Sequence, residues 1–303
     1  MEVKLAAVIV TYNRKELLYE NIRMLNRQTY KLDKIIVIDN NGSDNTLSYL
    51  KEMGIEFSNI EYIYLKENLG GAGGFYYGTK LAYEQNYDWI VLMDDDGRPY
   101  DERTIEILMQ SVKKLSLLNK PSLLNSLVMC NENKLSFGIK GIYSVEQAKN
   151  CSKNGLIENY VNPFNGTLVS KELIYNIGLP NKDFFIKGDE VDFARRAVKN
   201  SAFVATIVNS RYYHPEVAGI KVHRIFGKDM LVYIESPWKE FYTTRNHTYS
   251  LRRDVGVRQA RIFLIKRIYC SLVCKCNKYH TIKMILKGYN DARKGVLGAT
   301  IRP

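Results

Sequence analysis

The sequence has few cysteines and no long uncharged apolar run, and both features limit the classes of protein to which it can belong. The 303 residues include five cysteines without the spacing of a disulfide framework, which favours a reducing compartment. Cys270, Cys274 and Cys276 lie close together but have no second pair elsewhere, so a helix face is a simpler interpretation than a zinc site. No stretch reaches the roughly 18 apolar residues of a membrane-spanning helix.

Sequence signatures of secretion and of common nucleotide-binding loops are also missing. The first apolar run ends at Asn13 and Arg14 without a small-residue cleavage site, so no signal peptide is expected. No G-x-x-x-x-G-K-[ST] loop occurs, and no G-x-G-x-x-G follows the first predicted strand. The P-loop and dinucleotide-binding classes are therefore excluded.

The net charge of +12 is concentrated in the last third of the chain. Residues 1–210 contain 25 Lys and Arg against 26 Asp and Glu, whereas residues 211–303 contain 19 against 6. This local excess predicts an anionic partner for the C-terminal region, which is a membrane surface, a nucleic acid or a phosphate-bearing substrate.

Apolar runs alternate with helical patterns through the first hundred residues. Strands are predicted at 4–12, 33–40, 60–68 and 87–96. Their alternation with helices predicts an α/β fold with a parallel sheet and helices on both faces. Beyond about residue 230 the pattern becomes helical and basic. We therefore expect one domain over residues 1–230 and a basic, mainly helical region over residues 231–303.

Three consecutive aspartates, Asp94, Asp95 and Asp96, follow the fourth predicted strand and need a positive partner. Ligands of open parallel sheets bind at the carboxyl ends of the strands. Carboxylate oxygens there suit Mg²⁺ or Mn²⁺ bound together with a substrate diphosphate, and a solvated turn is the alternative. His214 ends a later predicted strand and is either a structural histidine or a further Mn²⁺ ligand.

Two further clusters each allow a functional and a structural interpretation. The stretch ENLGGAGGF after the third predicted strand either approaches a phosphate or sugar closely or is a flexible loop. Asp189, Glu190 and Asp192 open a predicted helix, where carboxylates often act only as caps. The functional alternative is a general base, because a carboxylate is ionised at neutral pH and accepts a hydroxyl proton.

Taken together, these clusters resemble the family 2 glycosyltransferases of the GT-A fold. The resemblance is carried, in order along residues 1–215, by AVIVTYNRKELL, IIVIDNNGSDNT, ENLGGAGGF, LMDDDG and FFIKGDEVDFARR. The glycine run, the triple aspartate and PWKEFYTTRN at 237–246 look most like bacterial galactofuranosyltransferases and rhamnosyltransferases. The implied fold is a Rossmann-like, mostly parallel sheet with a basic, helical C-terminal extension.

The resemblance implies a role for each matching residue. The implied metal ligands are Asp94, Asp96 and His214. Where the family has W-D-D, this chain has Gly188, Asp189 and Glu190, so Glu190 is the implied catalytic base, with Asp189 beside it, and the tryptophan is missing. The implied donor-binding residues, with Asp39 on the uracil or thymine base, are Thr11, Asn13, Arg14, Asp39, Asn68, Gly70, Gly71 and Asp95.

The implied activity is inverting transfer of galactofuranose from UDP-galactofuranose to a lipid-linked or polysaccharide glycan, with Mn²⁺ or Mg²⁺ as cofactor. The alternative donor within the family is dTDP-rhamnose. Two other classes remain open: a nucleotidyltransferase, whose early G-x-G-x-R loop is absent, and a nucleic-acid-binding module, for which no motif is present.

Residues 257–289 combine apolar residues at helical spacing with many basic residues. The apolar stripe consists of Ile262, Ile265, Tyr269, Leu272 and Cys276. Such a helix is predicted to lie in the interface of an anionic bilayer, and the alternative is that the stripe packs on the catalytic domain. Because acceptors in this family are often lipid-linked, we expect a cytoplasmic enzyme at the inner face of the membrane that binds no nucleic acid.

Overall fold

The computed structural model describes residues 3–139, 141–216, 221–225, 228–273 and 277–302. The described part combines a central sheet with surrounding helices and ends in a helical region. The predicted α/β class and the helical C-terminal region are therefore confirmed.

The first seven elements alternate strand and helix in the predicted order. They are β1 (Leu5–Thr11), α1 (Lys15–Asn26), β2 (Lys34–Asp39), α2 (Thr46–Glu52), β3 (Ile60–Tyr64), α3 (Gly70–Glu84) and β4 (Trp89–Asp94). Every residue of β1 is buried, which explains why its sequence is a continuous apolar run rather than an alternating one.

The middle of the chain adds short strands and helices. They are β5 (Arg98–Pro99), α4 (Thr104–Lys114), β6 (Ser122–Met129), β7 (Lys134–Ile139), β8 (Ile142–Ser144), α5 (Val145–Cys151), β9 (Leu156–Glu158), β10 (Asn165–Ser170), α6 (Lys171–Ile177), a 3₁₀ turn (Lys182–Phe184), α7 (Asp189–Lys199) and β11 (Phe203–Tyr213).

The last elements are a hairpin and long helices. They are β12 (Lys221–Ile225), β13 (Lys228–Val232), α8 (Pro237–Asp254), α9 (Val257–Val273) and α10 (Lys278–Lys294). None of the described helices has the length and apolar content needed to cross a bilayer.

Strand pairing brings the predicted polar clusters to one edge of the sheet. The order of the main sheet in the described residues is β3-β2-β1-β4-β10-β6-β11-β5. The first four strands are parallel, and Thr11 pairs with Asp39 while Val10 pairs with Asp94. The carboxyl ends of β1, β2 and β4 are therefore neighbours. β10 is antiparallel to both β4 and β6, and β6 is parallel to β11.

Glycines on α3 allow the helix to lie close to β1. A Cβ on Gly74 would lie 2.5 Å from a methyl carbon of Val10, and one on Gly78 would lie 2.3 Å from a methyl carbon of Val8. A larger residue at either position would overlap the strand. Part of the glycine-rich sequence is thus explained by helix packing rather than by a flexible loop.

The chain divides into two compact units. The first comprises Met1–Leu69, Gly74–Pro180 and Phe193–Glu216, and the second comprises Gly70–Gly73, Asn181–Asp192 and Val217–Pro303. The first residues of α3 and α7 therefore belong to the second unit, and the remainder of each helix belongs to the first. The predicted boundary between residues 230 and 231 stays a prediction.

The segment 257–289 forms two helices, and the described residues of its predicted apolar stripe, Ile262, Ile265, Tyr269 and Leu272, all lie on α9. α9 ends at Val273 and α10 begins at Lys278. Cys270 is buried on α9, whereas Cys274 and Cys276 lie outside the described residues. Both helices pack against α8, and a Cβ on Gly288 of α10 would lie 2.5 Å from the carbonyl oxygen of Phe241.

Candidate active site

Arg14 is the positive partner of two of the three consecutive aspartates. Its Nη1 lies 3.1 Å from Asp95 Oδ1 and 2.9 Å from Asp96 Oδ2. Burial acts to lower the pKa of Arg14, but the two carboxylates outweigh burial and raise it. Arg14 is a predicted donor-site residue, but its pairing with Asp95 has no local sequence signal, because the two residues are 81 positions apart.

Asp95 uses both of its carboxylate oxygens within the protein. Oδ2 accepts hydrogen bonds from Thr11 Oγ1 at 2.8 Å and from the Tyr12 amide at 3.4 Å, while Oδ1 faces Arg14. Burial raises the pKa of Asp95 to about 6, and Arg14 and Thr11 oppose that rise. Asp95 therefore joins the loop after β1 to the end of β4.

Asp96 and His214 come together although they are 118 positions apart in the sequence. His214 Nε2 is 3.6 Å from Asp96 Oδ1, which is buried and has no hydrogen-bond partner among the described residues. His214 Nδ1 lies 2.7 Å from the carbonyl oxygen of Pro215. Because a carbonyl only accepts, Nδ1 carries a proton, and Nε2 is the ring nitrogen that faces Asp96.

Asp94 ends β4 and is partly buried. Its backbone carbonyl accepts a hydrogen bond from Asn21 Nδ2 at 3.1 Å. Within the described ranges, no three His, Cys, Asp or Glu side chains are grouped closely enough to hold a metal ion. The structure therefore brings Asp96 and His214 together but does not place Asp94 with them in a group of three.

The loops after β1 and β2 are joined by hydrogen bonds that involve Asn13 and Asp39. Asn13 Oδ1 accepts from the Ser43 amide at 2.6 Å. Asp39 Oδ1 accepts from the Gly42 amide at 2.7 Å, and Oδ2 accepts from the hydroxyl of Tyr62. Burial and the hydrogen bond to Asp39 raise the pKa of Tyr62 well above its ordinary value. Asp39 is thus buried and held in one orientation at the strand end.

Asn68 precedes α3, and Gly70 and Gly71 open it. Gly70 has φ 70°, and a Cβ there would lie 2.0 Å from the carbonyl oxygen of Phe185, so only glycine fits. The Ala72 amide donates to the same carbonyl at 3.0 Å. A Cβ on Gly71 would meet nothing within 4 Å. Gly71, unlike Gly70, therefore leaves room for a ligand.

The three acidic residues at the start of α7 have different surroundings. Asp192 is fully buried and accepts from Arg253 Nη2 at 2.7 Å. Asp189 is only 4% exposed, whereas Glu190 is partly exposed. Glu190 Oε2 accepts from the Gly188 amide at 2.8 Å. Glu190 is therefore the most accessible of the three carboxylates, and Asp192 is a structural partner of α8.

The same architecture occurs in a solved structure described as GalNAc-T7 with UDP, GalNAc and Mn²⁺. The two structures align with a TM-score of 0.62 at 10% sequence identity, over 97% of this chain and 56% of that one. The chain thus spans little more than half the length of that protein. This likeness shows the fold, and the predicted GT-A architecture is confirmed.

Sequence comparison then gives the family. The profile described as Glycosyl transferase family 2 matches residues 6–140. Galactofuranosyltransferase GlfT1 of Mycobacterium tuberculosis is 32% identical over 84% of this chain and 83% of that protein. The dTDP-rhamnosyl transferase RfbF of Shigella flexneri is 24% identical over 98% of each chain. The chain belongs to glycosyl transferase family 2 and is a glycosyltransferase.

Proposed function

We propose that this glycosyltransferase transfers galactofuranose from UDP-galactofuranose to a glycan of the cell envelope or capsule, with inversion at the anomeric carbon. The observation that carries the proposal is the similarity to proteins named galactofuranosyltransferase. Those of Mycobacterium tuberculosis and Mycolicibacterium smegmatis are 32% and 30% identical, each over 84% of this chain.

The rhamnosyltransferase alternative has an observation of its own. RfbF is less similar, but its match extends over 98% of this chain and so includes the C-terminal helices. The test is to incubate the purified protein with UDP-galactofuranose or with dTDP-rhamnose and a synthetic alkyl glycoside as acceptor. Mass spectrometry of the product then shows which sugar was transferred. Transfer of rhamnose alone would overturn the choice of donor.

The chemistry of Asp96 and His214 fits a divalent cation. Asp96 Oδ1 is a buried carboxylate oxygen without a hydrogen-bond partner in the described part of the chain, and His214 Nε2 lies 3.6 Å from it. Carboxylate oxygen and imidazole nitrogen are both suitable ligands for Mn²⁺, while Mg²⁺ prefers the oxygen. We propose that Asp96 and His214 hold this ion, with Asp94 as the third side-chain ligand. When bound, the ion would neutralise negative charge on the departing diphosphate.

Glu190 is the proposed general base. Its carboxylate accepts the proton of the acceptor hydroxyl as that oxygen forms a bond to the anomeric carbon of the donor. The bond from the anomeric carbon to the UDP oxygen breaks in the same displacement, so the configuration inverts. The Gly188 amide orients the Glu190 carboxylate, and the greater burial of Asp189 favours Glu190 over its neighbour.

The remaining predicted donor residues are of two kinds: some are open to an approaching ligand, and others already form hydrogen bonds within the protein. Gly71 has open space beside it for close approach of a ligand, and half of the Arg14 side chain is exposed. Both carboxylate oxygens of Asp95 already accept hydrogen bonds, from Thr11 and Arg14. We therefore propose that its main role in the donor site is to position those two residues. Asn13, Asp39, Asn68 and Gly70 stay proposed members of the donor site.

An exposed face of α9 supports peripheral binding to the cytoplasmic face of a membrane. The α9 apolar face consists of Ile262, Ile265, Tyr269 and Leu272. Ile265 is 67% exposed and Leu272 is 50% exposed, while Tyr269 is partly buried, so most of the face is open to solvent. The basic flank of the same face consists of Arg258, Arg261 and Lys266, all exposed. Apolar side chains flanked by cations fit the interface of an anionic bilayer.

A further inference from the structure

The motif PWKEFYTTRN was part of the family resemblance, but the function described above gives it no role. In the structure it forms the first turns of α8, and its last two residues, Arg245 and Asn246, are fully buried. Asn246 Nδ2 is 3.0 Å from the carbonyl oxygen of Phe184, 2.9 Å from that of Ile186 and 2.7 Å from that of Lys187. The Asn246 side-chain amide thus lies within hydrogen-bond distance of three backbone carbonyls of one loop.

The loop that Asn246 holds has an unusual backbone. Phe185 has φ 65°, Lys187 has φ 63° and Gly188 has φ 90°. A residue with a side chain is disfavoured at positive φ, so a loop with two such residues keeps this conformation only where its surroundings enforce it. The hydrogen bonds from Asn246 hold the carbonyls of Phe184, Ile186 and Lys187 toward one point.

Arg245 fixes the orientation of the Asn246 amide. Its Nε donates to Asn246 Oδ1 at 2.8 Å, which leaves the amide nitrogen facing the loop. Its Nη2 donates to the Phe184 carbonyl at 3.1 Å, and its Nη1 donates to the Gly298 carbonyl at 2.7 Å. Burial lowers the pKa of Arg245 to about 10, so the guanidinium still carries its charge at neutral pH.

The same loop bears two parts of the proposed active site. At its end, the Gly188 amide donates to Glu190 Oε2 at 2.8 Å. Near its start, the Phe185 carbonyl accepts from the Ala72 amide at 3.0 Å and lies against Gly70. A shift of this loop would therefore move both the base and the glycine turn that opens α3.

We infer that Asn246, oriented by Arg245, is a positioning residue that sets Glu190 and the Gly70–Ala72 turn in place together. The inference rests on the proposed roles of Glu190 as base and of the glycine turn in donor binding. The PWKEFYTTRN motif would thus act through the loop before Glu190, without contacting the donor or the acceptor.

The test compares Asn246→Ala with Thr248→Val on the same helix. Thr248 is also fully buried, but its hydroxyl has no hydrogen-bond partner among the described residues, so valine removes nothing that the loop uses. We expect Asn246→Ala to lower kcat by about 10²-fold, the usual effect of a misplaced catalytic group, and to raise the KM for UDP-galactofuranose several-fold. Thr248→Val should leave both unchanged.

The split between kcat and KM distinguishes positioning from damage to the fold. Partial unfolding removes active molecules, so it lowers the apparent kcat and leaves KM unchanged. A fall in kcat alone, or no change in either constant, would overturn the inference. Calorimetric titration with UDP and Mn²⁺ gives an independent measure of donor-site affinity, which should fall in parallel.

A second variant keeps the test decisive if Asn246→Ala does not fold. In Gly188→Ala the new Cβ would lie 3.2 Å from the Asn246 Cβ at a residue with φ 90°, so it disturbs the same loop from the other side. The same joint change in kcat and KM is expected, and a wild-type result would refute the inference.

A double variant separates failure of this inference from failure of the proposed base. If Asn246 acts on turnover through Glu190, adding Asn246→Ala to Glu190→Gln should lower kcat little further while still weakening UDP binding. A fully active Glu190→Gln enzyme would instead refute the base itself. An inactive Glu190→Gln enzyme with a wild-type-like Asn246→Ala enzyme would refute the positioning role alone.

Discussion

Replacing the basic flank of α9 with glutamine should sharply reduce binding to anionic vesicles. The triple variant Arg258→Gln, Arg261→Gln, Lys266→Gln removes three charges from exposed positions. Each cation near an anionic bilayer contributes about 1 kcal/mol, so about 3 kcal/mol is lost together. Since 1.4 kcal/mol is a factor of ten, the partition coefficient should fall roughly a hundredfold.

The apolar part of the same surface should contribute a smaller, salt-independent amount. Fully burying an isoleucine side chain is worth about 1.5–3 kcal/mol. Ile265 is 67% exposed, so about 1–2 kcal/mol is available when it enters the interface. Ile265→Ser should therefore weaken binding roughly 5- to 30-fold at every salt concentration, whereas the effect of the basic flank should diminish as salt rises.

The assay is co-sedimentation with vesicles of phosphatidylcholine alone or mixed with phosphatidylglycerol. The matched control removes the same charge elsewhere, through Lys113→Gln, Lys114→Gln and Lys120→Gln, which are exposed in the first unit. Substitutions are preferable to deletion of the helices, because α9 and α10 cover α8, which holds the loop before Glu190.

Equal sedimentation of the wild type and the flank variant on anionic vesicles would refute the membrane role of α9. Equal losses in the flank and control variants would show that net charge alone is responsible. Salt-sensitive retention of the wild type on bulk nucleic acid, without vesicle binding, would assign the surface to a different anionic partner.

Three further predictions concern the site and the fold. Glu190→Gln should lower kcat by roughly 10²–10⁴-fold and retain UDP binding, because the glutamine carbonyl can still accept from the Gly188 amide; the same loss in Asp189→Asn instead would move the base by one residue. Asp96→Asn should abolish the rise in melting temperature that Mn²⁺ gives the wild type, and full wild-type activity in EDTA would contradict a metal role. Gly78→Ala should lower the free energy of unfolding by about 1–3 kcal/mol through overlap with Val8, measured by urea unfolding. Gly71→Ala is its control and should be near neutral in stability, so equal losses in both variants would argue against the packing explanation.

Much of the first half of the fold could be predicted because β1, β2 and β4 are nearly continuous apolar runs buried on both faces. The direction of the later strands could not, since periodicity does not distinguish parallel from antiparallel pairing. β10 lies between β4 and β6, and nothing in its sequence indicates that it runs opposite to both.

The acidic and glycine clusters of the site were also visible in the sequence, but several of their contacts were not. The pairing of Arg14 with Asp95 joins distant segments, and so does the contact of Asn246 with the loop before Glu190. The positive φ of Phe185 and Lys187 had no signal at all, because neither residue type favours that conformation. Contacts of this kind follow from packing and not from local preference.

The position of β10 beside β4 has a consequence for synthesis on the ribosome. β4 can pair with β1 as soon as residue 94 has left the ribosome. Its other neighbour, β10, is complete only when residue 170 has followed. At roughly 5–20 residues per second, β4 remains an unpaired edge for several seconds of translation. An apolar edge such as WIVLM is a template for pairing with other nascent chains. Slower elongation through residues 95–170 should therefore favour aggregation of this protein, and overproduction at reduced ribosome density should favour its folding.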